Sequence, residues 1–150
     1  MMEFKGRVIL DGSLTAEAVV SRQGFNTLAS CQKSVMAKKK QIICSDQNNP
    51  SIYNKNLTGK VLCLPKTIGS TTGGMVLQTI ADLGIAPAAM LFSENIDSLA
   101  ASGVILADIW NGHRIITVDG LGDDFLNSVQ DGMTVEIRKD GTVILKEGEQ

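Results

Sequence analysis

The chain has 150 residues, of which 43% are apolar and 20% charged, a composition that indicates one globular domain and excludes a disordered chain. Fourteen basic and sixteen acidic residues leave a formal net charge of -2, so no positive field is available for nucleic-acid phosphates. The N-terminus shows no signal-peptide pattern, and no apolar run is long enough to span a membrane. We therefore expect a cytoplasmic protein that binds neither nucleic acid nor a membrane.

The first third of the chain predicts a strand pair followed by a helix. Short apolar runs at Arg7–Leu10 and at 16–20 are typical of two strands that pair with each other. Apolar residues at spacings of three and four predict a helix from residue 25 to about residue 40. It ends in three lysines, a charge run more typical of a solvated helix end than of a binding patch. Residues 42–44 predict a brief strand, and residues 45–50 predict a loop.

The remainder alternates strands and helices, so the chain reads as one mixed α/β domain over residues 1–150. Strands are predicted at 60–65, 87–92 and 114–118, helices at 75–83 and 99–101 (capped by Asp97), a helical turn at 123–126, and a hairpin at 133–138 and 142–146 turning at Asp140-Gly141. Strand 60–65 is apolar enough to be buried on both faces. Met75, Met90 and Met133 are expected to fill the core.

The three cysteines have a spacing that fits neither a zinc site nor a disulfide framework. We therefore expect no metal site in this chain. Cys63 lies between apolar neighbours within a predicted strand, which favours a place in the core. For Cys44, burial is favoured over service as a ligand or thiolate. The sequence assigns no definite role to Cys31 or Cys44.

The most informative stretch runs from Leu64 to Gly74, where a buried strand leads through a loop of glycines and hydroxyl residues into a predicted helix. A helix N-terminus attracts an anion because its first N–H groups are free. Neither a Walker loop nor a nucleophile elbow matches, and a single histidine, His113, argues against a self-contained Ser-His-Asp site. Local structure alone also explains the stretch, with Ser70 or Thr71 as a helix cap and two glycines for close packing.

Motifs over most of the chain give this stretch a family context. Gly-Lys-Val-Leu-x-Leu-Pro at 59–65 is followed by Gly-Ser-Thr-Thr-Gly at 69–73 and by matching segments at 84–89 and 96–107, with a looser match at 46–50. With these residues the chain resembles the small subunit, or swivelling domain, of aconitase X, the dehydratase branch of the aconitase superfamily. The resemblance implies a swivelling β/β/α domain, an α/β fold of mixed sheets with flanking helices, that docks on a large catalytic subunit.

The resemblance also implies roles for residues. Ser70 would be the catalytic base that removes a proton next to the carboxylate of a small hydroxy acid. The residues around it would shape a substrate-binding turn: Gly69, Thr71, Thr72 and Gly73. Asp46 and Asn49 would approach the same cleft from the neighbouring loop. The large subunit would carry an iron–sulfur cluster.

Known substrates of the family include cis-3-hydroxy-L-proline and a phosphorylated mevalonate. Gly74 stands where many members have a second serine, and Asn49 precedes Pro50 where many have histidine. The segment 25–40 also lacks the Phe-Gly-Gly-Val-Asp type of loop found in the mevalonate-type proteins. These departures favour cis-3-hydroxy-L-proline over phosphomevalonate as the substrate.

A physical argument indicates that the chain needs a partner. A serine hydroxyl is too weak an acid, by several pKa units, to be ionised at neutral pH, and each unit corresponds to about 1.4 kcal/mol. A helix N-terminus supplies at most about 2 kcal/mol, and the sequence offers few cations or donors near the motif beyond Lys66 and backbone amides. We therefore expect the isolated chain to be inactive, and an unfilled docking face would favour its self-association. The alternative is a stand-alone, non-catalytic ligand-binding or protein-interaction module on the same fold.

Overall fold

The computed structural model describes residues 1–69 and 71–147. Within them the chain forms ten strands and four helices, in the order β1 (Met2–Lys5), β2 (Arg7–Leu10), β3 (Leu14–Val20), β4 (Phe25–Asn26), α1 (Thr27–Met36), β5 (Val61–Leu64), β6 (Thr67–Ile68), α2 (Gly73–Asp82), β7 (Ala89–Phe92), α3 (Ser98–Asn111), β8 (Ile116–Asp119), α4 (Asp123–Ser128), β9 (Thr134–Ile137) and β10 (Thr142–Lys146). None of the described helices is both long enough and apolar enough to cross a bilayer.

Eight strands form one sheet in the order β1-β10-β9-β3-β5-β7-β8-β2. The middle strands β3, β5, β7 and β8 run parallel, and the connections between them carry α1, α2 and α3. The flanking strands pair antiparallel. Parallel strands require crossover connections, which explains why α1, α2 and α3 lie between these strands in the chain.

The two edge strands of the sheet, β1 and β2, are consecutive in the chain and separated only by Gly6. The sheet therefore curls until its edges meet. At this corner the backbone of Gly6 packs directly on β8, because a Cβ atom there would lie 2.5 Å from the carbonyl oxygen of Asp119. Only glycine permits such an approach.

Two apolar clusters lie on opposite faces of the sheet. The first fills the space between the parallel strands and α1 to α3 and includes Leu62, Leu64, Leu77, Met90 and Phe92. The second lies inside the curled sheet, packs on Phe125 of α4, and includes Val20, Cys63, Leu91, Val118 and Val135. Strands β5 and β7 are buried along their whole length because they contribute to both clusters, which confirms the prediction for β5.

Several predicted elements are confirmed and others need correction. The hairpin of β9 and β10 forms as expected, with Gly141 in its turn at a φ of +90°. The predicted pairing of β2 with β3 is wrong, since β2 pairs with β8 and β3 with β5 and β9. The corner at Gly6 carries β2 to the opposite edge of the sheet. Residues 42–44 form only an isolated bridge, between Ile43 and Asn56, because side chains of Ser34 and Thr58 take the neighbouring hydrogen bonds.

The helices also differ from expectation. Helix α1 is shorter than predicted and ends at Met36, two residues before Lys38 adopts a φ of +54°. Helix α3 is much longer than predicted, at 14 residues. Of the expected core methionines, Met90 is buried as predicted. The prediction for Met75 is wrong, because this residue is 67% exposed on the outer side of α2. Met133 is partly buried and packs against the second cluster.

Candidate active site

The loop between β5 and α2 lies at the surface of the sheet's carboxyl-terminal edge. Gly69, Thr71 and Thr72 are exposed, Gly73 is partly buried, and α2 begins at Gly73. Ser70, the predicted catalytic base, lies outside the described residues, so its role stays a prediction. Thr72, not Thr71, occupies the cap position of α2, and its side chain accepts no hydrogen bond from the first turn. The first turn of a helix presents N–H groups that attract an anion.

One side of this loop is anchored by a two-residue parallel ladder. Strand β6 pairs with β4, with Phe25 opposite Thr67 and Asn26 opposite Ile68. The backbone N–H of Phe25 also donates to the carbonyl oxygen of Lys66 at 2.8 Å. This ladder brings the N-terminus of α1 beside the start of the loop.

The same strand, β6, is also anchored by the carboxylate of Asp97. Its oxygens accept hydrogen bonds from the backbone N–H of Thr67 at 3.0 Å and from the Thr67 hydroxyl at 2.5 Å. The same carboxylate caps α3 by accepting from Ala100 N–H at 3.1 Å, which confirms the predicted cap. One side chain therefore fixes both β6 and the start of α3.

Asp97 is itself held in place from β8 through a neighbouring ion pair. The buried carboxylate of Asp119 contacts the Arg7 guanidinium at 2.6 Å and accepts from Ile96 N–H at 2.7 Å. Burial raises the pKa of Asp119, but the hydrogen bonds from Arg7 and Ile96 outweigh it, so the pKa is lowered from its ordinary value. The residue before Asp97 is thus fixed to the central sheet.

Behind the loop, α2 and α3 cross at two glycines. A Cβ atom at Gly74 would lie 2.7 Å from the carbonyl oxygen of Leu99, and one at Gly103 would lie 2.6 Å from the carbonyl oxygen of Gly74. Close backbone approach therefore explains Gly74. A serine at this position would force the two helices apart.

The second predicted segment, 45–50, is built differently. The side chain of Asn49 is fully buried, donates to the Ser21 hydroxyl at 2.9 Å and accepts from the Ser51 hydroxyl at 2.8 Å. The carboxylate of Asp46, only 8% exposed, accepts from the backbone N–H of Asn48 at 3.0 Å. These bonds hold the turn and join it to Ser21 after β3, and substrate binding by Asp46 and Asn49 stays a prediction.

The three cysteines are all buried. Burial raises the pKa of each thiol, which disfavours the thiolate that metal binding requires. Among residues 1–69 and 71–147, no group of three or more ligating side chains converges. The side chains of this part of the chain do not fit an iron–sulfur cluster.

Sequence reasoning missed two contributors to the site. Asn26 was not singled out, although an asparagine directly before an amphipathic run is a recognised helix-start signal. Its Oδ1 caps α1 by accepting from Ala29 N–H at 3.0 Å. The contact of Asp97 with Thr67 joins residues 30 positions apart and carries no local signal.

Known proteins resemble this chain in sequence and in fold. The family model of the aconitase X swivel domain matches residues 3–145. The phosphomevalonate dehydratase small subunit of Methanocella arvoryzae is 30% identical over 94% of this chain and 95% of that protein. That of Methanosarcina mazei is 31% identical over 99% of this chain and 94% of that protein. The same subunit of Thermococcus kodakarensis is 30% identical over 99% of this chain and the whole of that protein.

Solved structures agree. The crystal structure of Thermococcus kodakaraensis aconitase X in its holo-form superposes with a TM-score of 0.81 at 28% identity, covering 98% of this chain and 100% of that one. These findings confirm the resemblance, the α/β swivelling fold and the expectation of a dehydratase subunit. The chain belongs to the aconitase X swivel domain family.

Proposed function

We propose that this chain is the small subunit of an aconitase X-type dehydratase that acts on phosphomevalonate, with Ser70 as the base. The relatives described above are named for phosphomevalonate and lend no support to the preference for cis-3-hydroxy-L-proline. Two of the three departures behind that preference have packing explanations, because Gly74 lies in a helix crossing and the buried amide of Asn49 is bonded to Ser21 and Ser51. These two departures therefore do not argue against phosphomevalonate.

The observation that carries the proposal is the loop that follows β6: Gly69, Thr71 and Thr72 are exposed, and β6, which leads into the loop, is held by deeper structure. The ladder with β4 and the carboxylate of Asp97 fix its approach, while Thr71 and Thr72 face outward. A rigidly anchored but exposed loop is suited to completing a pocket on another polypeptide, since precise placement of a reacting group requires a fixed support.

In the proposed reaction, Ser70 takes the proton next to the substrate carboxylate. The electrons of that C–H bond form the new double bond, and the C–O bond breaks so that the hydroxyl leaves as water after protonation. The N-terminus of α2 stabilises the negative charge that forms, by at most about 2 kcal/mol. Because this is too little to ionise a serine hydroxyl, further donors must come from the large subunit.

The large catalytic subunit and its iron–sulfur cluster are part of the proposal. The term small subunit in the relatives' names supports a large partner, and the aconitase family supports the cluster. A cytoplasmic location and self-association of the isolated chain stay predictions. Analytical ultracentrifugation of the isolated chain tests the second of these.

The test is the Ser70→Ala variant in a complex reconstituted with the large subunit. Turnover of phosphomevalonate should fall by about 10³-fold, because a general base contributes roughly 10²–10⁴. Ser128→Ala is the matched control, since the Ser128 hydroxyl only donates to the carbonyl oxygen of Asp124 within α4. Gel filtration should show unchanged assembly for both variants.

Three outcomes contradict the proposal. Full activity of the Ser70→Ala complex would remove the base from the mechanism. Dehydration of cis-3-hydroxy-L-proline with a higher kcat/KM than phosphomevalonate would reject the substrate. Failure of the chain to bind any large subunit while binding a small ligand on its own would favour a stand-alone binding module.

A further inference from the structure

Asn26 is fixed at the point where α1 meets the loop that leads to Ser70. Its Oδ1 accepts a hydrogen bond from Ala29 N–H at 3.0 Å, which sets the orientation of the side-chain amide. Its backbone pairs with Ile68 in the short parallel ladder. The residue is therefore held at both its side chain and its main chain.

The amide of Asn26 packs flat against Gly69. A Cβ atom at Gly69 would lie 2.8 Å from Nδ2 and 2.9 Å from both Cγ and Oδ1 of Asn26. Equal contacts with three atoms of a planar group place that plane against the α-carbon of Gly69. With a φ of +103°, Gly69 is also in a conformation that favours glycine. No side chain fits between the two residues.

The far end of the loop meets the next residue of α1. Thr27 is buried, and its Cβ would lie 3.8 Å from a Cβ atom at Gly73, which is ordinary van der Waals contact. The start of α1 therefore packs on Gly69 and lies close to Gly73.

We propose that Asn26 is a positioning residue for the reaction, whose amide holds Gly69 in its turn and so fixes the residue directly before Ser70, the proposed base. The role in turnover rests on the proposed function, whereas the contact with Gly69 does not. Helix capping uses Oδ1 alone. Serine caps a helix as well as asparagine but has no amide, so it separates the two roles.

The first test is Asn26→Ser in the reconstituted complex. We expect kcat for phosphomevalonate to fall about tenfold with KM, subunit assembly and Tm nearly unchanged, because a misdirected base slows the chemical step and not binding. Asn56→Ser is the control, since Asn56 is also partly buried and its Oδ1 accepts from Thr58 N–H at 3.0 Å. A kcat within twofold of wild type would overturn the proposal. So would a fall in kcat that is accompanied by a clear fall in Tm, because loss of folding would then explain it.

A second test measures the contact without any turnover. Gly69→Ala is introduced into the full chain with and without Asn26→Ser, and unfolding midpoints in denaturant are compared. Gly59→Ala gives the effect of strain alone, because Gly59 has a φ of +72° and no atom within 4 Å of the added Cβ. We expect Gly69→Ala to lower the unfolding midpoint more than Gly59→Ala does. In the Asn26→Ser background, Gly69→Ala should lower the midpoint only as much as Gly59→Ala does.

If the midpoint shifts of Gly69→Ala and Asn26→Ser simply add in the double variant, the two residues are not coupled, and the proposal is overturned. This arm remains decisive if the wild-type complex shows no dehydration of phosphomevalonate. In that case the proposed function fails, while the coupling between Asn26 and Gly69 is still measured.

Discussion

The two loops assigned to the site from the sequence are built in opposite ways. The polar side chains of segment 45–50 bind other parts of this chain, with the buried amide of Asn49 paired to Ser21 and Ser51. The loop after β6 is instead supported by its neighbours, since Asp97 binds Thr67 and the N-terminus of α1 packs on Gly69, and it leaves Thr71 and Thr72 exposed. Polar residues that satisfy one another stabilise a fold, whereas an exposed loop held by other elements is available for a partner and a substrate.

The largest effect that sharpens this comparison is expected for Asp97→Ala. The change removes a helix cap and leaves the N–H and hydroxyl of Thr67 without their acceptor, which we expect to cost about 3 kcal/mol. The loop then loses its anchor, so kcat of the complex should fall as well. Denaturant unfolding and steady-state kinetics measure the two effects. An unchanged kcat in a destabilised chain would show that the anchor does not serve the site.

Gly74→Ser tests whether packing explains the departure from the family pattern. The added side chain meets the backbone of Leu99, so we expect a loss of about 2 kcal/mol in the free energy of unfolding. The ratio of kcat/KM for phosphomevalonate and cis-3-hydroxy-L-proline should not change. A switch in that ratio without a loss of stability would assign Gly74 to substrate choice.

Asn49→Ala tests the other loop, segment 45–50. Removal of its amide leaves the buried Ser21 hydroxyl without its donor, and we expect a cost of about 1.5 kcal/mol. KM for the substrate should stay at its wild-type value, because Asn49 is fully buried and both polar atoms of its side chain already have a partner. A raised KM with unchanged Tm would instead confirm the predicted binding role.

The smallest expected effect concerns acid stability at Asp119. Because its folded pKa is lowered, this carboxylate stabilises the fold above its unfolded pKa, and the stabilisation is lost as pH falls through the folded value. Arg7→Gln removes the partner and raises the folded pKa, so acid unfolding should begin at a higher pH. Circular dichroism during acid titration measures the midpoint. An identical midpoint in wild type and variant would show that Arg7 does not set this pKa.

Local patterns in the sequence predicted local structure well. Strands β5 and β7 and the hairpin of β9 and β10 were recognisable from short apolar runs and from a turn signal. The length of α3 was underestimated because the helix is apolar on nearly all sides, with Ile109 and Trp110 exposed at 71% and 78%, so a three-and-four spacing is obscured.

Contacts between distant segments were not predictable in the same way. The partner of β2 depends on the corner at Gly6, and Asp97 reaches Thr67 across 30 positions. The family motif located the loop, but it could not reveal which neighbours support it. Asn26 and Asp97 acquire their places in the site only when β6 is paired and α3 is docked.

The central claim is that this loop completes an active site on another polypeptide. The most direct measurement compares the rate of phosphomevalonate dehydration by this chain alone, by the large subunit alone and by their mixture. The account predicts turnover in the mixture and none above background in either component. Full activity of either component by itself would contradict it.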